Sequence, residues 1–225
     1  MAKAAQQKKS AADEVEFFYD IEQGGEEWFA FRRSIPTASR FASILAQGEG
    51  KMRTRYLYQL AGEALCGETA ETFRNDAMDR GKAMEAEARD YYQRTRFADL
   101  KSVGFVRRTI RNPLGGEFVV GASPDSQITE HKGLEIKTIR PDLMIEIAVK
   151  GAAGFPSEHR AQIQGTMWVT GWTEVDLVLF YRGMPIAPTF TVMRDDAYIA
   201  QLAIEVERFD YELRQLVKRI KEMAR

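Results

Sequence analysis

The stretch from Ala122 to Lys137, ASPDSQITEHKGLEIK, constrains the fold more than any other part of the chain. Leu134 and Ile136 alternate with Glu135 and Lys137, so an extended segment turns two apolar side chains to one face and an acid and an amine to the other. That pattern asks for a strand with one face in a core. The apolar run Phe118, Val119, Val120, Gly121, Ala122 leads into Ser123-Pro124-Asp125, and residues 126–133 are of hairpin size, which returns Asp125 to the side of Glu135. Two carboxylates side by side repel unless something neutralises them. A divalent cation is the usual remedy: hard oxygen ligands suit magnesium or manganese, and a nearby lysine can hold or deprotonate an attacking water. Glu135 and Lys137 alone are equally consistent with an exposed ion pair on a solvated sheet face, which contributes little. Ser-Pro-Asp at hairpin distance favours the metal site.

The 225 residues, 44% hydrophobic and 29% charged, supply one large core. We read residues 16–225 as a single domain behind a tail, 1–15, which is rich in Ala, Gln, Lys and Ser and has no apolar periodicity to bury. A formal charge of -1 excludes an overall positive field, so contact with nucleic acid must rest on local clusters. Cys66 is the only cysteine, which excludes a disulfide framework and a thiolate zinc cluster and suits a reducing compartment. No apolar stretch follows Lys3, Lys8 and Lys9, and no window is long enough to span a bilayer, so the expected location is the cytoplasm, with no membrane partner.

After Gly24-Gly25 a short helix is expected over residues 26–33, stopped by Pro36, with Thr37 capping a second from Ala38 to about Gln47. This puts Arg32 near one helix end and Ser39 in the first turn of the next, where exposed amides and an arginine fork suit a phosphate; offsetting the helix dipole is the plainer role for Arg32. Lys51, Arg53 and Arg55 open the amphipathic helix Lys51–Cys66, against its dipole, and so invite a polyanion. On the next helix, from about Phe73 to Arg96, Met78, Gly81, Glu85, Ala88 and Tyr92 form one stripe. An acid in that stripe either joins Asp125 and Glu135 around a cation or pairs with Lys82 or Arg89 at its margin. Strands follow over 102–109, with Arg107, Arg108 and nearby Arg111, and over 117–122 and 133–138, then a helix over 142–150. A helix from Pro156 or Ser157 to Thr170 places Gln162 on a face with His159 and Thr166. A hairpin of strands over 174–181 and 186–193 extends the sheet, and Asp195 or Asp196 caps a long last helix whose Ile199, Leu202, Val206, Phe209, Leu213, Leu216, Ile220 and Met223 make a packing stripe.

Gly81-Lys82-x-x-Glu85, Ser123-Pro124-Asp125, Glu135-Ile136-Lys137 and Ala161-Gln162-x-Gln164-x-x-Met167-Trp168, with WFAFRRSIPTAS at 28–39 ahead of them, share order and spacing with a known family. From about Trp28 to the last helix the chain resembles the phage lambda exonuclease family, YqaJ-type viral recombinases of the PD-(D/E)XK nuclease superfamily. The resemblance implies an α/β fold with a restriction-endonuclease-like core, a central mixed β-sheet flanked by α-helices. It implies that Asp125 and Glu135 ligate two magnesium ions, manganese substituting, with Glu85 on the second and the backbone carbonyl of Ile136 contributing. Lys137 would activate the hydrolytic water, helped by Gln162. Arg32, Ser39, Ser123 and Gln162 would form the pocket for a 5′-terminal phosphate. The implied enzyme is a magnesium-dependent 5′-to-3′ exonuclease that degrades one strand of linear duplex DNA and leaves a 3′ overhang. It would be a phage- or prophage-encoded, ring-shaped homotrimer that hands the overhang to a single-strand annealing recombinase. Lys51, Arg53, Arg55, Arg107, Arg108 and Arg111 would line its channel. The loop at residues 46–51 is shorter than the family's, which leaves Met78 or Arg53 as the strand-splitting wedge, and His159 replaces an aromatic residue and takes no role. The alternatives are a restriction-type endonuclease and a non-catalytic DNA-end-binding subunit on the same fold.

Overall fold

The apolar runs form strands of two sheets in the computed structural model, which describes residues 13–46, 51–69, 76–111 and 116–224, with backbone only over 76–82. The first sheet is antiparallel, in the order β1 (Glu14–Phe18), β2 (Phe105–Arg111), β3 (Glu117–Ala122). The second is mixed, in the order β4 (Ser126–Thr129), β5 (Lys132–Thr138), β6 (Glu174–Phe180), β7 (Thr189–Met193). Its central pair, β5 and β6, runs parallel, and both outer pairs run antiparallel. Ser123, Pro124 and Asp125 alone separate β3 from β4, so this tripeptide carries the chain from one sheet into the other.

A parallel pair requires a crossover, supplied here by α5 (Pro141–Lys150) and α6 (Arg160–Thr170). Helix α6 serves both cores. Trp168 and Val169 pack with Val106, Phe118 and Val120 of the first sheet, while Ile163 and Met167 pack with Val175, Leu177 and Leu179 of the second. Buried on opposite sides, it has almost no polar stripe. The other face of the second sheet is covered by α4 (Asp76–Arg96), whose Ala88 and Tyr92 bury against Leu134, Ile136, Val178 and Phe180. The alternation read in β5 is thereby realised, with Leu134 and Ile136 toward α4 and Glu135 and Lys137 away from it. Helix α7 (Asp196–Met223) starts as expected, with the Asp195 side chain accepting the Tyr198 N–H at 2.9 Å, and it buries Ile199, Leu202, Val206, Phe209 and Leu213 with residues of α2 (Phe41–Leu45) and α3 (Lys51–Cys66).

β1 begins at Glu14, inside the stretch the sequence assigned to a tail. Its Val15 and Phe17 pack against the core, and Asp13, Glu14 and Glu16 pair with Arg108, Arg111 and Arg107 across the sheet. These pairs, with the bidentate Arg53–Glu212 contact between α3 and α7, already neutralise four of the six cations expected to line a DNA channel. Lys51 and Arg55 remain exposed. The helix expected from Ala38 to Gln47 is broken into a 3-10 turn, Ala38–Arg40, followed by α2. Thr37 caps neither, since its N–H is donated to the Tyr56 hydroxyl at 3.1 Å and its own hydroxyl lies 3.4 Å from Ser39 Oγ. A 3-10 turn, Ser157–His159, likewise precedes α6 where the sequence suggested continuous helix. The side chains of the wedge candidate Met78 and of Lys82, most of the loop at 46–51 and most of the turn at 112–116 lie outside what the structure describes, and Gly81 is described by its helical backbone alone.

Gly133, near the start of β5, lies against the Trp172 ring, and a Cβ added there would sit 2.0 Å from Trp172 Cζ3. Gly133→Ala is expected to destabilise the protein by about 1–3 kcal/mol through overpacking, read as a lower melting temperature in a thermal scan.

Candidate active site

The crossover tripeptide delivers Asp125 to β5. Its Oδ2 accepts the Ile136 N–H at 2.5 Å, and its backbone carbonyl accepts Arg89 Nε of α4 at 3.2 Å. Glu135 stands in the middle of β5 at only 4% exposure, a place a lone charge could not hold. Two donors close on it: Lys137 Nζ lies 2.8 Å from Glu135 Oε1, and Gln162 Nε2, from the half-exposed position of otherwise buried α6, donates to the same oxygen. Glu85 of α4 pairs with Arg89 one turn on. It also lies close enough to Asp125 and Lys137 for its charge to act on both. Of the two sequence readings of Glu85, the pair with Arg89 is the one the structure forms, and it leaves the acid at the edge of the cluster.

Burial, then the charges of Glu135 and Glu85, push the Asp125 carboxyl well above the ordinary carboxylate range, against the pull of the Ile136 amide and Lys137. Burial pulls the Lys137 ammonium down, but the charge and hydrogen bond of Glu135, with Asp125 and Glu85 behind it, more than offset this, so it is held above its usual value. Burial and then Lys137 lower His159, at the entry to α6. Among the described residues no three His, Cys, Asp or Glu side chains close into a ready-made metal cage. Glu135 is engaged by Lys137 and Gln162, and Glu85 by Arg89. The donor set nevertheless fits a hard divalent cation: three carboxylates gather, and Asp125, which feels the charges of the other two, holds one amide hydrogen bond.

A second group assembles on the other side of the crossover. Trp28 and Arg32 sit one turn apart on α1 (Glu26–Arg32), with the guanidinium 4.0 Å over the indole ring. Trp28 Nε1 donates to Ser123 Oγ at 2.9 Å and to Gly104 O at 3.1 Å, and Arg32 Nη1 donates to Ser123 Oγ at 3.3 Å. Arg32 and Ser123 are thus together, as expected. Gln162 is tied to Glu135, and exposed Ser39 meets Thr37. A cleft of about 470 Å³ is lined by Trp28 and Phe29 and by Glu85, Arg89 and Asp125, while Arg32, Ser123, Glu135 and Lys137 are not among its lining residues. A larger apolar groove of about 910 Å³ beside β7 shares none of these residues. Sequence reasoning gave Trp28 no role and Arg89 only a marginal one; the signal for both was a four-residue helical spacing, Trp28 to Arg32 and Glu85 to Arg89.

A mixed sheet between helices, with an acid at the sheet crossover and a buried acid and a lysine two apart on the next strand, defines a restriction-endonuclease-like nuclease core. The YqaJ-like viral recombinase domain matches residues 27–173, and the chain belongs to that family. Among solved structures it is similar to the alkaline exonuclease LHK-Exo from Laribacter hongkongensis, at 31% identity over 89% of this chain and 98% of that one, with a TM-score of 0.75. The same figures hold for LHK-Exo in complex with dAMP. A phage related exonuclease from Haemophilus somnus 129PT shares the fold at 17% identity, over 83% of this chain and 96% of that one, with a TM-score of 0.59. No curated protein sequence matches the chain significantly.

Proposed function

We propose that this chain is a magnesium-dependent exonuclease that degrades one strand of linear duplex DNA from its 5′ end and leaves a 3′ single-stranded overhang. That it is a DNA exonuclease follows from its family and from its likeness to an alkaline exonuclease. The observation that carries the chemistry is the convergence of Asp125, from the crossover tripeptide, with Glu135 and Lys137 of β5, with Gln162 and Glu85 closing on them. In this reading Asp125, Glu135, Glu85 and the Ile136 carbonyl hold two magnesium ions, which manganese can replace. Bound there, the metal supplies Lewis-acid stabilisation of charge on the phosphoryl and leaving 3′ oxygens.

The protein's own groups do the positioning. Lys137, kept charged by Glu135, offers its remaining hydrogens to the attacking water and orients it, while Gln162 holds Glu135 in place. Arg32 and Ser123 anchor the terminal phosphate, Ser39 completes the pocket by turning from Thr37, and Gln162 offers it the second amide hydrogen while the first stays on Glu135. Anchoring the end explains polarity, because only a strand terminus places a phosphate in the pocket and the next bond at the acids. The dAMP complex of LHK-Exo supports a mononucleotide product. A ring-shaped homotrimer, a single-strand annealing recombinase as partner and the cytoplasm of a phage-bearing host belong to the same proposal. It is compatible with the absence, among the described residues, of any helix long and apolar enough to cross a membrane.

Digestion of end-labelled linear duplex tests the proposal. With magnesium the 5′ label is released first and the 3′ label persists in a shortened duplex; with chelator nothing is released, and closed circular DNA stays intact throughout. Nicked circles would establish an endonuclease instead, and a linear duplex bound but uncut in magnesium would leave only an end-binding subunit.

A further inference from the structure

Trp28 has no part in the chemistry above, yet it touches both groups assigned to the DNA end. Its ring carries the Arg32 guanidinium, and its N–H is shared between Ser123 Oγ and Gly104 O. Arg32 Nη1 reaches the same serine oxygen. A serine hydroxyl has two lone pairs and one hydrogen. Both lone pairs of Ser123 receive N–H donors from α1, and among the described residues nothing accepts its hydrogen. A hydroxyl wired in this way meets an incoming group as a donor, which suits an anion. The ring constrains Arg32 in a complementary manner: a guanidinium held over an aromatic face has the direction of its N–H fork set by that face, which suits a planar, two-point contact. The Gly104 carbonyl, fixed by the chain entering β2, shares the indole N–H and so pins the ring that organises both.

We infer that Trp28 is the positioning residue for the 5′-terminal phosphate, setting Ser123 as a hydrogen-bond donor and Arg32 in its binding plane. The inference rests on the reading of Arg32 and Ser123 as the phosphate anchor. Trp28→Phe keeps a stacking face and removes the N–H, whereas Trp28→Leu removes both. The measurement is the initial rate on linear duplexes with 5′-phosphate and with 5′-hydroxyl ends, for wild type, both variants and Arg32→Ala, with thermal melting to confirm folding. Trp28→Phe lowers the phosphate-over-hydroxyl rate ratio by about tenfold, the worth of one hydrogen bond to a charged group. Trp28→Leu lowers it to the level of Arg32→Ala; should Trp28→Leu not fold, Trp28→Phe decides alone. A merely structural role slows both substrates alike and leaves the ratio unchanged, and that result overturns the inference. Should Arg32→Ala lose discrimination while Trp28→Phe keeps it, the Trp28 inference alone falls. Should Arg32→Ala discriminate as the wild type does, the phosphate-anchor reading itself fails and Trp28 loses its role with it.

Discussion

Lys137→Ala is expected to lower the single-turnover rate of hydrolysis by about 10³-fold or more while leaving affinity for duplex ends within about threefold of wild type. The ammonium sits 2.8 Å from Glu135 on the strand that also lies against Asp125, so its hydrogens face the place where charge develops rather than the duplex at large. An interaction made mainly in the transition state is lost from kcat and spares ground-state binding. Gln162 still donates to Glu135 in the variant, which keeps the buried carboxylate partnered and the strand in place. Rates at saturating magnesium and binding by fluorescence anisotropy in calcium separate the two quantities. Turnover within about tenfold of wild type would remove Lys137 from the mechanism.

Asp125→Asn is expected to lose activity to a similar degree and yet to melt at a higher temperature than the wild type in chelator. Burial and two neighbouring carboxylates hold the Asp125 carboxyl well above its ordinary value. A proton bound more tightly in the folded than in the unfolded state means that folding stability falls as pH rises from the ordinary aspartate range through that raised range. At neutral pH, above the ordinary aspartate range, the carboxyl therefore opposes folding, and an amide of the same shape, still able to accept the Ile136 N–H, does not. Relief of about 1–3 kcal/mol corresponds to roughly 2–4 °C per kcal/mol in a chain of this size. Magnesium reverses the order: a ligand that binds the folded state raises the wild-type melting temperature with concentration, and the variant responds weakly or not at all. A variant with the same magnesium response as wild type would contradict the assignment of Asp125 as a ligand. Many functional sites trade stability for charge in this manner.

The strand period of Leu134 to Lys137 and the hairpin that returns Asp125 to it were legible because a two-residue alternation and a turn-sized gap are local signals. So were the Asp195 cap and the apolar stripe of α7 as far as Leu216, beyond which Ile220 and Met223 are exposed. β1 was not legible, because its partners are distant in sequence: Glu14, Glu16 and Asp13 find Arg111, Arg107 and Arg108 only once the sheet exists. The same distance hid the fate of those arginines, which looked like free cations on a strand and are ion-paired across it. Thr37 had the right side chain for a cap, but Tyr56 takes its N–H and shapes the turn, so tertiary contact overrode local preference. At the site the acids, Lys137 and Gln162 were read from spacing and family resemblance. The stacking of Arg32 on Trp28 requires the helix to be placed against Gly104 and Ser123, which no spacing discloses.

Ser123 turns toward α1 and Asp125 toward β5, two residues apart on a segment whose ends are locked into different ladders. Their Cα atoms can stand no more than about 7 Å from each other. In the proposed enzyme this makes the tripeptide a caliper: one jaw grips the strand's end, the other marks where it is severed, and the gap between them is covalent. Substitutions elsewhere change how fast the jaws close, while the length of each bite stays the same.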